Sequence, residues 1–168
     1  MTRGGAAAGR TIPSLAGLFP DTVAYATVGT DSAPDSLHAE EEQAAARFTS
    51  TRRLHFALGR TCARRALAAL GAAAGPSPAA TGPIGVMSDR SPAWPPPIVG
   101  AITHCDGLAG AAVARYRDFV AVGLDAEPAE RRLDPRMDRL VCTAAERDAL
   151  GVLPSLSDAD WLTVVFSG

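Results

Sequence analysis

Polar and apolar positions follow different rules in successive parts of the 168-residue chain. Residues 1–36 are rich in Gly, Ala, Pro, Ser and Thr and hold one alternating run, "TVAYATV" (Thr22–Val28), which predicts a strand behind about a dozen disordered residues. From Leu37 the pattern turns helical. "LHAEEEQAAARF" consists of good helix formers, with its acids in the early turns where the macrodipole favours them. In "STRRLHFALGRTCARRALAALG", Phe56, Gly59, Ala63, Leu67 and Leu70 recur at steps of three and four, with Ser50 placed to cap the helix and Gly71 to end it.

The proline-laden stretches "AAAGPSPAATGP" (Ala72–Pro83) and "SDRSPAWPPP" (Ser88–Pro97) exclude a helix or a central strand. Beyond them the spacing predicts three strands, Ile98–His104, Leu108–Tyr116 and Phe119–Glu127, joined by the short turns "CDG" and "RD" as an antiparallel meander. "TAAE" predicts a capping box, Thr143 with Glu146, opening a helix that Gly151 closes, and "DWLTVVFS" predicts a last strand.

Composition narrows the class. The chain has 18 acidic and 16 basic residues, so no overall field draws it to nucleic acid or to a membrane, and any anion site must be local. All the basic residues are arginine. Cys62, Cys105 and Cys142 form no CxxC pair and are odd in number, which argues against a zinc site and a secreted disulfide framework. Together with the lack of an apolar leader or spanning stretch, this predicts a cytoplasmic monomer.

In a strand, Asp125 and Glu127 of "VGLDAEP" share a face with Cα atoms about 6.5–7 Å apart. They can converge on one hard cation such as Mg²⁺, or be the solvated acids of a strand end. In "ITHCDG", His104 and Cys105 face opposite sides, so they form no local nucleophile pair, whereas His104 and Asp106 share a face. Cys105 reads as a small buried hydrophobe and Trp94 as a wedge that seats its loop. On the second helix Arg53, Arg60 and Arg64 fall near one face, with Arg52 about 100° away. They form either a phosphate-binding surface or a charged face laced to the acids at 40–42.

Taken in order, "FALGRTCARRAL", "DRSPAWP", "VGAITHCDG", "VGLDAEP", "TAAER" and "WLTVVFS" resemble the 4′-phosphopantetheinyl transferases of the Sfp and enterobactin-synthase-component-D type, over Leu37–Ser167. The resemblance implies an α+β fold of two pseudo-symmetric subdomains, each a small antiparallel sheet packed with a helix. The first would span 37–118, after the flexible segment 1–36, and an incomplete second would span 119–168.

It implies Mg²⁺-dependent transfer of the 4′-phosphopantetheine arm of coenzyme A to a serine of an apo acyl or peptidyl carrier protein, in fatty acid, polyketide, nonribosomal peptide or siderophore synthesis. The family's roles carry over to Asp125 and Glu127 for the metal, and to Arg52, Arg60, Arg90, Thr103 and His104 for coenzyme A, with His104 and the two acids as the catalytic set. The family spacing picks Arg52 as the phosphate ligand where helical geometry picks Arg53. Two departures stand out: Ala101 replaces a family serine, and the family's "AKE" segment, with a third carboxylate and lysines, would follow Gly168. The resemblance therefore implies an impaired enzyme of poor stability, or a non-catalytic remnant that binds coenzyme A or a carrier protein.

Overall fold

Leu108–Arg115 is apolar at every position but its last, as a strand covered on both faces must be, and it forms the centre of the sheet. The computed structural model describes residues 15–72, 82–128 and 143–145. Its elements run β1 (Ala24–Gly29), α1 (Ala39–Ala45), α2 (Ser50–Ala72), β2 (Gly85–Val86), β3 (Pro92–Ala93), β4 (Ile98–Cys105) and β5 (Leu108–Arg115). The order in the main sheet is β1-β5-β4, antiparallel throughout, and β2 and β3 form a separate two-stranded hairpin. Gly107, at φ 97°, closes the tight turn between β4 and β5. The chain divides into two compact units, residues 1–124 and 125–168. No helix among the described residues is long and apolar enough to cross a membrane.

Small side chains bring α2 close to one face of this sheet. Leu58, Cys62, Ala63, Ala66 and Leu67 of the helix pack on Val28, Ala109, Ala111 and Val113, and all are buried. The Cys62 thiol points at the Ala109 carbonyl oxygen, 3.4 Å away, and burial pushes it up to about 11, which keeps it an inert thiol at neutral pH. The stripe foreseen in the sequence is present but too narrow. Ala63, Leu67 and Leu70 join the core, whereas Phe56 and Gly59 belong to a cavity described below.

The third strand of the expected meander does not form. Residues 121–128 are neither helix nor strand, and the second edge of β5 is taken by β1, in register from Ala24 opposite Val113 to Gly29 opposite Leu108. A turn at the end of β5, in which the amides of Asp118 and Phe119 both donate to the Arg115 carbonyl, leads the chain off the sheet edge. Phe119, Val122 and Leu124 then pack on the sheet face opposite α2, against Val23, Ala112 and Ala114. The first unit consequently includes β1 and runs to Leu124, beyond the Asp118 boundary read from the sequence.

The helix cap is also displaced by one residue. Thr49, rather than Ser50, accepts from the Arg52 amide with its hydroxyl and from the Arg53 amide with its carbonyl. Ala144 and Ala145 are helical, in keeping with a helix starting at Thr143, while Glu146, Gly151 and the "DWLTVVFS" segment lie outside the described residues.

Trp94 seats its loop as expected. Its indole N–H donates to the Gly100 carbonyl at 2.9 Å, and its ring lies over Gly100. A Cβ at Gly100 would stand 2.6 Å from the Ala112 carbonyl oxygen and 3.0 Å from that indole. Gly100→Ala is expected to cost about 1–3 kcal/mol through this overpacking. A urea melt reads the loss, and Trp94 fluorescence reports the displaced ring.

Candidate anion-binding site

Helix α2 carries Arg52, His55, Phe56, Gly59 and Arg60 at spacings of three and four, which aligns them on one face at its N-terminal end. That face forms one wall of a cavity of about 420 Å³. The other walls come from α1, from the β2–β3 hairpin through Val86, Arg90 and Pro92, and from β4 through Ile102 and His104. Gly59 lets the helix approach its floor, since a Cβ there would meet Ile102 Cγ2 at 2.8 Å.

Two cations and two aromatic rings interleave along the helix wall. The Arg52 guanidinium lies 4.4 Å over Phe48, the Arg60 guanidinium 4.2 Å over Phe56, and the two rings meet edge to face at 5.5 Å. Such stacking orients a planar cation and contributes on the order of 0.5–2 kcal/mol per pair. Arg52 is exposed, so its donors face the solvent side. Arg60 is buried, and two of its nitrogens are occupied: Nε donates to the Ile84 carbonyl at 2.8 Å and Nη2 to the Gly85 carbonyl at 3.1 Å. Burial lowers its pKa to about 10, with Arg64 adding to the fall and Glu41 opposing it, so it stays a cation at neutral pH.

Arg90 reaches the cavity from the hairpin in a left-handed conformation, φ 73°. The turn is tied by Asp89, whose Oδ1 accepts from both the amide and the hydroxyl of Ser91 at 2.9 and 2.6 Å. These bonds hold the Asp89 carboxyl below its ordinary range, hydroxyl first and amide second. Where the helix wall meets β4, the imidazoles of His55 and His104 stack at 4.7 Å with a 31° tilt. No described lining residue is an acid. Three guanidinium groups and two imidazoles around a partly open cavity make a site for a phosphate-bearing ligand.

Of the residues singled out in the sequence, Arg52, Arg60, Arg90 and His104 thus meet in one cavity. Arg53 does not join them: it pairs with Glu42 of α1. Arg64 turns to Glu41, so the lacing to acids 40–42 is real for these two arginines. Thr103 alternates to the face away from α2 and is buried there. Cys105 shares that face and is half-buried rather than buried.

Asp125 and Glu127 lie in the second unit, in a segment that is not a strand, so the shared-face argument for their convergence does not hold as made. Among the described residues no group of three or more His, Cys, Asp or Glu converges as a metal site. His55 and Glu41 were missed. His55 was legible as the residue three after Arg52 on the same helix face, but nothing local marks Glu41 as more than one of three helix acids.

The described fold is α+β, a three-stranded antiparallel sheet backed by one long helix with a cationic cavity at its end. Residues 40–114 match the 4′-phosphopantetheinyl transferase N-terminal domain. The chain's relatives include the 4′-phosphopantetheinyl transferase Svp of Streptomyces mobaraensis, 37% identical over 159 residues, covering 91% of this chain and 61% of the relative. PptT of Mycobacterium tuberculosis is 34% identical over 145 residues, 84% of this chain and 61% of its own length. Npt of Nocardia iowensis is 44% identical over 97 residues, 56% of this chain and 40% of its own. The chain thus spans about three fifths or less of the length of these relatives.

Proposed function

We propose that this protein transfers the 4′-phosphopantetheine arm of coenzyme A to a serine of an apo acyl or peptidyl carrier protein. The observation that carries the reading is the convergence of Arg52, Arg90, Arg60 and the His55–His104 pair on one cavity, with no acid among its described lining residues, in a segment that matches the N-terminal domain of this family. In the reaction the serine oxygen attacks the phosphorus that bears the pantetheine arm, its bond to the adenylate phosphate oxygen breaks, and adenosine 3′,5′-bisphosphate leaves. Guanidinium and imidazole groups fixed around the phosphates stabilise the charge that shifts to the leaving oxygen, and they need no reorganisation to do so. His104 lines the cavity from β4 and is assigned to the phosphates, while Thr103 lies on the opposite face of that strand.

Asp125 and Glu127 supply oxygen donors of the kind Mg²⁺ takes, one or two carboxylates with water and phosphate completing the shell. Bound there, the ion would act as a Lewis acid toward a phosphate oxygen. The expected result is attachment of a fluorescent coenzyme A derivative to an apo carrier protein in the presence of Mg²⁺, and no attachment in EDTA. Calorimetry without any heat of coenzyme A binding would sink the proposal. Binding without transfer would instead fit a non-catalytic protein that holds coenzyme A.

A further inference from the structure

We infer that Glu41, which does not line the cavity, is a positioning residue for it: its carboxylate fixes the β2–β3 hairpin that brings Arg90 into the cavity wall. Glu41 is fully buried on α1. Its Oε1 accepts from the Ile84 amide at 3.0 Å, and its Oε2 accepts from the His38 amide at 2.9 Å, which ties the carboxylate to the start of its own helix. Arg64 Nη1 reaches both oxygens, at 3.1 and 3.0 Å, and Arg64 Nη2 donates to the Ser36 carbonyl at 3.2 Å. Arg60 Nε stands 3.9 Å from Oε1.

Ile84 is therefore gripped at both of its backbone groups. Its N–H is held by Glu41, its carbonyl is held by Arg60, and Arg60 also takes the next carbonyl, of Gly85. The hairpin needs this anchor because it cannot hold itself: its strands are two residues each, with only Gly85 opposite Ala93 and Val86 opposite Pro92. Isolated two-stranded ribbons are marginal even when longer. Trp94, bonded to Gly100, secures the exit of the hairpin, and the Glu41–Arg60 pair secures its entry.

A buried ion pair is weak evidence for stability, since well-packed apolar residues often do as well. It is better explained by what it orients, which here is the one segment that delivers Arg90 and Val86 to the cavity. The hairpin claim stands without a ligand, while its effect on binding rests on the coenzyme A reading.

The test compares the wild-type protein with Glu41→Gln and with the charge-balanced Glu41→Gln/Arg64→Met, so that a folding defect from an uncompensated cation is separated from loss of the anchor. Amide exchange is read at Met87 and Arg90, whose N–H groups bond to the Ser91 and Met87 carbonyls. Both variants are expected to exchange about tenfold faster there, and in the charge-balanced variant the middle of α2 stays unchanged. The apparent KM for coenzyme A is expected to rise about ten- to a hundredfold with kcat nearly constant. In an Arg90→Ala background the same substitutions add little, because they act through Arg90. Unchanged hairpin exchange, or a loss of affinity fully additive with Arg90→Ala, overturns the inference. A wild-type protein that takes up no coenzyme A overturns the functional reading, while the exchange measurement still decides the role of Glu41.

Discussion

Glu41→Ala is expected to destabilise the protein by about 3–5 kcal/mol, the range found when one member of a buried ion pair is removed. Truncation leaves Arg64 without its bidentate partner in a site that Arg64 itself barely exposes, and it leaves the Ile84 amide without an acceptor. Denaturant unfolding measures the loss, and the same group gives it a pH signature. Burial alone would raise the Glu41 carboxyl, but the amides of Ile84 and His38 and the charge and hydrogen bond of Arg64 outweigh it, so its pKa falls below 4.5.

A group whose folded pKa is depressed adds stability that is complete above its ordinary value and is lost as pH falls through the folded one. Wild-type protein should therefore lose stability on acidification from about pH 4.5 downward more steeply than Glu41→Ala. Parallel acid profiles for the two proteins would rule out Glu41 as the source.

Arg52→Ala is expected to weaken coenzyme A binding by about 1.5–3 kcal/mol, the usual worth of a hydrogen bond to a charged group, or roughly ten- to a hundred-and-fiftyfold in Kd. Stability should hardly change, since Arg52 is exposed and its contact within the protein is the face of Phe48. Arg53→Ala is the matched control. Its guanidinium pairs with Glu42 outside the cavity, and surface pairs of this kind contribute about 0–1 kcal/mol to stability. Calorimetric titration of the two variants separates them. Equal losses would mean that the cavity wall assigned to Arg52 is not where the phosphates sit.

Much of this arrangement is legible from local pattern, because it rests on local rules. The period of α2, the alternation of β4 and β5 and the run that became β1 each depend on one face being buried. The error at Phe119–Glu127 shows where such rules end. Its apolar residues invite pairing with β5, but β1 already occupies that edge, and Phe119, Val122 and Leu124 satisfy the same burial by lying across the sheet instead. Neither choice is written within the segment.

The site divides in the same way. Arg52, Arg60 and His104 follow from helix and strand spacing together with the family resemblance, whereas their ranking depends on α1: Glu42 draws Arg53 away, and Glu41 draws Arg64. The role of Glu41 spans 23 residues to Arg64 and 43 to Ile84, distances over which a single sequence carries no periodic signal.

The backbone at Arg90 has a consequence of its own. A side chain in the left-handed region costs roughly 1–2 kcal/mol, a cost glycine escapes and asparagine partly avoids. The Asp89–Ser91 bonds hold the turn in that shape, and the chain nevertheless places there a long cation that borders the cavity. Position 90 is thus a point of conflict between durability and chemistry. Substitutions selected there for heat resistance alone would drift toward glycine or asparagine and would strip a positive charge from the mouth of the cavity.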